Sequence, residues 1–354
     1  MTDDNDLVNK AFEPLVSAAL GNPRALLMLA DKAFVRADLA RGVELVDAAI
    51  ALDPGDIEIA AIGADLIARS VPNWHVRMVK DAPRNTAFQN AIERAVSPEK
   101  RVLDIGAGSG LLAMMAARAG ATIVHSCEMN PSVATVAQKI VAANGFAEQI
   151  TVHSKKSTQL DAVKDLDGKA DIIVAEIVGN DLVCENVLPT MRDAARRLAA
   201  PDAQYIPRSG DIRVALAWFA NRDARRLDDV CGFDLSAFNA LLPVRSNANV
   251  GDPSLAIRGE AASLYSFDFA SCDIAADQTQ MELVATGGKI NGVAQWFRLQ
   301  LDEHEMLENM PGTGAQSSWA CEFYAFDDEI DTTPGDQIKV GATIFGNRLR
   351  LWRA

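Results

Sequence analysis

The feature that most constrains the fold is a series of short apolar segments alternating with helical ones between residues 72 and 205. RVLDIGAG, TIVHSCEM, QITVHSK and ADIIVAEI have the length and composition of buried strands, and LLAMMAARAG and PSVATVAQKIVAANGF have the pattern of amphipathic helices. Strands and helices that alternate in this way form a parallel sheet with helices on both faces. The sequence therefore predicts an α/β domain over 72–205.

A glycine-rich loop follows the first of these strands and begins a helix. Glycines at 106, 108 and 110 allow a tight turn and a close approach of the backbone to a ligand. The dinucleotide motif GxGxxG fails, because its third glycine would fall at Leu111, and the phosphate-binding motif GxxxxGK[ST] is absent. Asp104 suits a cationic amino acid group instead, and Glu128, at the end of the next strand, can accept both hydroxyls of a ribose. Together these residues predict an S-adenosylmethionine pocket in a Rossmann-like class I methyltransferase domain.

Two further regions flank this domain. Residues 1–71 are rich in Ala and Leu, and positions 23–56 fit one copy of the tetratricopeptide (TPR) template; an unrelated helical cap is the alternative. Residues 206–354 contain short strand-like pieces between turn-rich segments, which predicts an antiparallel β-barrel. A helical insertion is predicted near 222–242.

Composition limits the partners and the location. The net charge of −14 argues against binding to nucleic acid or to an anionic membrane, and a cationic partner suits this surface better. The five cysteines form no CxxC pair, so neither a zinc site nor a disulfide framework is predicted. The acidic start MTDDNDLVNK does not have the pattern of a signal peptide, and we expect a cytoplasmic protein.

The stretch AEIVGNDLVCE contains two glutamates, Glu176 and Glu185, whose spacing of nine fits neither one face of a helix nor one face of a strand. A loop must bring the two carboxylates together if they act on one ligand.

This pair completes a resemblance to the protein arginine methyltransferases, in which two glutamates nine apart grip the substrate guanidinium. The segment HVRMVKDAPRNT at 75–86 resembles the one that precedes the cofactor domain in that family. DDVCGFDLS at 228–236 resembles its dimerisation arm. The resemblance covers roughly 72–354, and the cofactor domain resembles the divergent seventh member, whereas the TPR-like start resembles the ninth.

The resemblance implies roles for individual residues. The implied catalytic residues are Glu176, Glu185, Met78, His75, Asp81 and Trp319. The implied cofactor-binding residues are Arg84, Asp104, Gly106, Gly108, Glu128, Ser157 and Glu176. In this family pattern, Glu176 and Glu185 bind and polarise the guanidinium, and Arg84 pairs with the cofactor carboxylate. Met78 lies beside the target nitrogen, and Trp319 forms one side of the pocket for the arginine.

One departure from the family pattern bears on the type of methylarginine formed. The family usually has Thr-His-Trp near the C-terminal barrel, where this chain has Ser317, Ser318 and Trp319. A contact from that histidine to Asp81 is therefore unavailable. Mono-, symmetric and asymmetric dimethylation all stay open.

The leading hypothesis is an arginine methyltransferase that acts on a basic protein segment and forms a homodimer, with a further protein partner possible on the helical module. One alternative is a methyltransferase for a small guanidino or amino compound. The other is a cofactor-binding scaffold that works through its helical module.

Overall fold

The computed structural model describes residues 12–271, 278–312 and 317–354, and it begins with a group of helices. These are α1 (12–19), α2 (Pro23–Val35), α3 (Leu39–Leu52) and α4 (Ile57–Arg69). The side chains of Asn22, Asp38 and Asp56 accept backbone amides and cap the second, third and fourth helices. The helices enclose a core of their own, in which Ala30 and Val46 are fully buried. The tetratricopeptide assignment stays a prediction.

Two helices lead from this module to the sheet. Helix α5 (Trp74–Val79) is a short, partly exposed segment, and α6 (Ala82–Ala95) follows it directly. Asp81 caps α6 by accepting the Arg84 amide through Oδ1 at 3.1 Å, and Pro83 stands in the first turn, where no amide is needed. The cap fixes the direction in which α6 leaves α5.

The parallel sheet has five strands in the order β3-β2-β1-β4-β5. The strands are β1 (Arg101–Ile105), β2 (Ile123–Cys127), β3 (Ile150–His153), β4 (Ala170–Ala175) and β5 (Ala199–Ile206). Helices α7 (Leu111–Arg118), α8 (Pro131–Ala143) and α9 (Val187–Arg197) connect them. The predicted α/β class is confirmed, although sequence reading had not identified β5 or α9. Helix α9 buries one face, which Val187, Leu188, Met191 and Ala194 form.

Antiparallel strands make up the C-terminal part, as predicted. The long strands are β6 (Ser209–Phe219), β11 (Ala262–Asp268), β12 (Gln278–Val284), β13 (Gly288–Gln300), β15 (Cys321–Thr332), β16 (Gln337–Phe345) and β17 (Arg348–Arg353). The short ones are β7 (Asp229–Val230), β8 (Phe233–Asp234), β9 (Arg245–Ala248), β10 (Leu255–Ile257) and β14 (Met306–Glu308). They form a seven-stranded sheet around β6, β13 and β15, a three-stranded sheet of β12, β16 and β17, and a β7–β8 hairpin. Side chains of both larger sheets join the core of the parallel domain.

The insertion expected to be helical at 222–242 differs from that expectation. It consists of 3₁₀ segments at Ala220–Arg225 and Ser236–Leu241 on either side of the β7–β8 hairpin. Gly232 and Cys231 adopt positive φ in the hairpin turn, and this turn chemistry is what the helical interpretation missed. No helix within the described ranges is long and apolar enough to cross a membrane.

Candidate active site

A cavity of about 620 Å³ lies at the carboxyl ends of β1, β2 and β4, where open α/β sheets bind their ligands. The wall of this cavity includes eight of the residues chosen from the sequence. These are His75, Met78, Gly106, Gly108, Glu128, Ser157, Glu176 and Glu185. Arg84, Asp104, Asp81 and Trp319 lie outside the wall. Arg84 contacts Glu176 of the wall, and Trp319 contacts the Val178 carbonyl of the loop beside it.

The glycine loop holds the backbone close to β2 and β4. Gly106, Gly108 and Gly110 have φ values of 90°, 51° and 79°, which side-chain-bearing residues rarely adopt. A Cβ at Gly106 would lie 2.6 Å from Ile177 Cγ2, so the loop also requires glycine sterically. The amides of Gly106 and Ala107 both donate to the Cys127 carbonyl, at 3.0 and 2.9 Å. The loop is thus fixed against the strand that precedes Glu128.

Glu128 is oriented by backbone amides on both sides. Its Oε2 accepts the Gly108 amide at 3.1 Å, and its Oε1 accepts the Asn130 amide at 2.8 Å. Each carboxylate oxygen has a second lone pair, so the side chain can still accept hydroxyl groups from the cavity.

Asp104 is almost fully buried and only half satisfied. Ser126 Oγ donates to Oδ2 at 2.7 Å, whereas Oδ1 is buried without a hydrogen-bond partner. Burial raises the pKa of Asp104 to about 7, although Ser126 and the Arg84 guanidinium oppose that rise. An unpaired buried acceptor beside the glycine loop fits the ammonium group of an amino acid ligand.

Arg84 forms a buried ion pair with Glu176. The Arg84 Nη2 contacts Glu176 Oε2, and each side chain is 4% exposed. Its Nη1 donates to Asn85 Oδ1 at 2.8 Å, and the guanidinium lies over the ring of Phe88. Burial nevertheless raises the pKa of Glu176 above its usual value. The structure thus places Arg84 directly against one member of the glutamate pair.

The loop between Glu176 and Glu185 reverses the chain so that both side chains reach one cavity. Leu182 adopts a φ of 69°, and its amide donates to the Gly179 carbonyl at 2.9 Å. A Cβ at Gly179 would lie 1.9 Å from Cys184 Sγ, so glycine at this position leaves room for the Cys184 thiol where the chain folds back.

Glu185 differs from Glu176 in having no ion-pair partner among the described residues. Burial, together with the nearby Glu176 and Asp181 carboxylates, raises the pKa of Glu185 to about 7. In the free protein, the charge of Glu176 is thus compensated by Arg84, whereas that of the neighbouring Glu185 is not.

Asp81 connects α5 and α6 to the segment around Trp319. Its Oδ2 accepts the Ser318 backbone amide at 2.7 Å. The backbone amide thus contacts Asp81 directly, although the expected histidine is missing. Trp319 Nε1 donates to the Val178 carbonyl at 3.0 Å, so Trp319 supports the glutamate loop from behind rather than lining the cavity.

Helix α5 supplies His75 and Met78 to the wall, one turn apart. The His75 ring stacks on Trp74 with 4.2 Å between ring centroids. Burial lowers the pKa of His75, which favours the neutral ring.

Sequence reasoning missed the contribution of the helical module. Leu39 at the start of α3 and Ser70 after α4 line the same cavity. The Ser70 carbonyl also accepts Asn130 Nδ2 at 3.2 Å. An apolar residue at a helix start looks like any core residue, so no sequence signal marked Leu39.

Comparisons with known proteins show that this chain is similar to methyltransferases. A family model described as "Ribosomal protein L11 methyltransferase (PrmA)" matches residues 87–212. An "Arginine N(omega)-methyltransferase" of Streptomyces achromogenes subsp. streptozoticus is 35% identical over 305 residues, or 83% of this chain and 82% of that protein. A rice (Oryza sativa subsp. indica) "Protein arginine N-methyltransferase 7" is 29% identical over 64% of this chain but only 35% of its own length.

Solved structures show the same similarity. The chain matches a structure described as "Trypanosoma brucei PRMT1 enzyme-prozyme heterotetrameric complex with AdoHcy" with a TM-score of 0.71 and 26% identity, over 80% of this chain and 92% of that one. A second match, Arabidopsis thaliana protein arginine methyltransferase 10, has a TM-score of 0.65 at 19% identity, over 75% of this chain and 86% of that one, and shows the fold alone.

Proposed function

Because this chain belongs to the arginine N-methyltransferase family and uses S-adenosylmethionine, we propose that Glu176 and Glu185 together bind the guanidinium that receives the methyl group. The observation that carries this proposal is the position of the two carboxylates on one cavity, next to the glycine loop. An unpaired carboxylate in a cavity needs a cationic ligand, and a planar guanidinium can donate to two carboxylates at once.

The residues in and beside the cavity fit separate parts of the cofactor. Asp104 and Gly106 suit the amino acid portion, and Glu128 suits the ribose. Arg84 suits a carboxylate, although it pairs with Glu176 here. When bound, the cofactor supplies an electrophilic methyl group on a sulfonium.

The two glutamates orient and polarise the acceptor. Two charge-assisted contacts fix the plane of the guanidinium and concentrate its positive charge on the bonded nitrogens, which leaves the attacking nitrogen richer in electrons. Alignment of the reacting atoms can itself contribute up to about 7 to 11 kcal/mol. When a methyl group passes from the sulfonium to an arginine nitrogen, the S–C electron pair stays on sulfur to give a neutral thioether, and the nitrogen must lose one N–H proton. The Glu185 carboxylate, which lines the same cavity, would accept that proton.

We propose arginine in a basic protein segment as the acceptor. The supporting observation is the net charge of −14, which attracts cationic chains by long-range steering. The exposed apolar side chains of Phe233, Phe238 and Leu241 in the insertion support a homodimer formed through this segment.

A second candidate acceptor is free arginine or another small guanidino compound. The Streptomyces relative, which aligns along most of both chains, is named for arginine and not for protein arginine, and this name supports the smaller acceptor.

One experiment separates the acceptors and tests the glutamate pair. Purified protein is incubated with labelled S-adenosylmethionine and, in parallel, with an Arg-Gly-rich peptide and with free arginine, and the products are analysed by mass spectrometry. We expect methylation of one acceptor class and at least a hundredfold loss of turnover in Glu185→Gln. Full turnover in Glu176→Gln and Glu185→Gln would refute the clamp.

A further inference from the structure

The loop that carries both glutamates has an ionic anchor that the proposed reaction does not use. Asp181, at the middle of the loop, is fully buried. Its Oδ2 lies 3.2 Å from Nη1 of Arg245, on strand β9 of the antiparallel part. The same nitrogen lies 2.9 and 2.8 Å from the two carboxylate oxygens of Glu322, on β15.

The two oxygens of Asp181 have separate tasks. Oδ1 accepts the amides of Val183 at 3.1 Å and Cys184 at 2.8 Å, and these bonds shape the turn that precedes Glu185. Oδ2 faces Arg245. One side chain thus sets the local turn and ties it to a neighbouring strand.

Arg245 is the cation between two buried carboxylates. Glu322 is 3% exposed, and its Oε2 also accepts the Tyr324 hydroxyl at 3.2 Å. Without the guanidinium, Asp181 and Glu322 would lie near each other with no positive charge between them, and their repulsion would push the loop away from β15.

Three hydrogen bonds between uncharged groups also hold the loop against the antiparallel part. The Val178 carbonyl accepts Trp319 Nε1, Asn180 Oδ1 accepts the Ala320 amide at 2.9 Å, and the Cys184 carbonyl accepts Asn347 Nδ2 at 3.0 Å. All of the donors lie in the antiparallel part. The position of Glu185 over the cavity is therefore set from outside the cofactor-binding sheet.

We propose that Arg245 is a positioning residue for arginine methylation, which fixes the glutamate loop through Asp181 and so sets the separation of Glu185 from Glu176. The inference rests on the proposed function of the two glutamates. Arg245 itself is on β9 and contacts neither the cavity nor a reacting atom.

Four variants of the full chain test the proposal. Arg245→Met removes the cation. Asp181→Asn keeps the turn-forming oxygen but places an amide donor opposite Arg245. Arg245→Lys is the conservative variant, because a single nitrogen of Arg245 makes the three contacts to the Asp181 and Glu322 carboxylates and an ammonium has three donors. Arg298→Met is the matched control, since Arg298 of β13 pairs with Asp211 of β6 and, among the described residues, has no hydrogen bond or ion pair to the loop.

We expect Arg245→Met and Asp181→Asn each to raise KM for the arginine acceptor at least tenfold, with the Kd of S-adenosylhomocysteine unchanged within threefold. Arg245→Lys should recover most of the loss, and Arg298→Met should stay within twofold of the wild type. The Asp181→Asn/Arg245→Met double variant should be no worse than Arg245→Met alone, because the contact that Asp181→Asn breaks is already absent in Arg245→Met.

Hydrogen exchange of the cofactor-free protein gives a readout that needs no turnover. The amides of residues 176–186 should exchange at least tenfold faster in Arg245→Met, while those of the parallel sheet keep the wild-type rate. Unchanged exchange in the loop, or an equal effect in Arg298→Met, would overturn the proposal. This measurement decides the anchoring whether or not arginine proves to be the acceptor, so a wild type without turnover on arginine would refute the proposed function alone.

Discussion

Neutralising the two glutamates one at a time is expected to change stability in opposite directions. Glu176 is paired with the buried Arg84, whereas the charged groups that act on Glu185 are the Glu176 and Asp181 carboxylates. Glu185→Gln therefore removes a repulsive, partly desolvated charge. Glu176→Gln removes the partner of a buried cation. Both substitutions keep the shape of the side chain, so the difference isolates the charge.

The pKa of Glu185 gives the magnitude. It is raised from 4.5 to about 7, and each tenfold change in an equilibrium corresponds to about 1.4 kcal/mol, so ionising Glu185 at pH 8 costs about 3 kcal/mol as an upper limit. Residual solvent contact reduces this value, and we expect Glu185→Gln to raise the free energy of unfolding by about 1 to 2 kcal/mol. Loss of one partner from a buried ion pair costs about 3 to 5 kcal/mol, and this is the expected destabilisation in Glu176→Gln.

The effect of Glu185→Gln on the free energy of unfolding also depends on pH. The native state holds the Glu185 proton more tightly than the unfolded state, so the wild type carries no ionisation cost below pH 4.5 and the full cost above about pH 7. The gain from Glu185→Gln should appear at pH 8 and vanish near pH 4.5. Urea denaturation of the cofactor-free proteins at both values measures it, with turnover assayed in parallel. A destabilised Glu185→Gln at pH 8, or equal effects of the two substitutions, would refute the reasoning.

Three further predictions concern the same cavity. Because Glu185 and Asp104 both have a pKa raised to about 7, kcat/KM should fall at least tenfold from pH 7 to pH 6 as their charges are lost, and a flat profile would count against both roles. Leu39→Asp should raise the Kd of S-adenosylhomocysteine at least tenfold by calorimetry, since Leu39 lines the cavity from the helical module. Ser318→Ala should leave turnover within twofold, because the Ser318 backbone makes the contact with Asp81, whereas Asp81→Ala loses that contact and a helix cap worth about 1 kcal/mol of stability.

Much of the fold could be read from the sequence because buried parallel strands are short apolar runs whose ends are marked by turn residues. The glycine loop and the acidic residue after the next strand also follow directly from local pattern. These two features carried the prediction of S-adenosylmethionine as the cofactor, and the comparisons confirm it.

Contacts between distant segments could not be read in this way. The Arg84–Glu176 pair joins residues 92 positions apart, and the Arg245–Asp181 contact joins residues 64 apart. No local spacing encodes such a pair, because the partners meet only after α6, β4 and β9 have packed. The sequence therefore predicted which residue types belong to the site better than it predicted which of them neutralise each other.

The charges of the cavity also imply that the two ligands affect each other's binding. Glu128, Glu176 and Glu185 line the space. Asp104 lies just outside the wall, and the buried Arg84 guanidinium acts on it and pairs with Glu176. Under the proposed roles, Arg84 divides its hydrogen bonds between Glu176 and the cofactor carboxylate once the cofactor is bound. Glu176 is then less compensated and attracts a guanidinium more strongly.

We therefore expect S-adenosylhomocysteine to lower the Kd of an arginine ligand at least fivefold, and arginine to lower the Kd of S-adenosylhomocysteine by the same factor, as linkage requires. Calorimetric titrations of each ligand in the presence and absence of the other measure both factors. Arg84→Met should remove the coupling along with the affinity for the cofactor, whereas Arg298→Met should preserve both. Identical affinities for arginine with and without S-adenosylhomocysteine in the wild type would mean that Arg84 does not link the two sites.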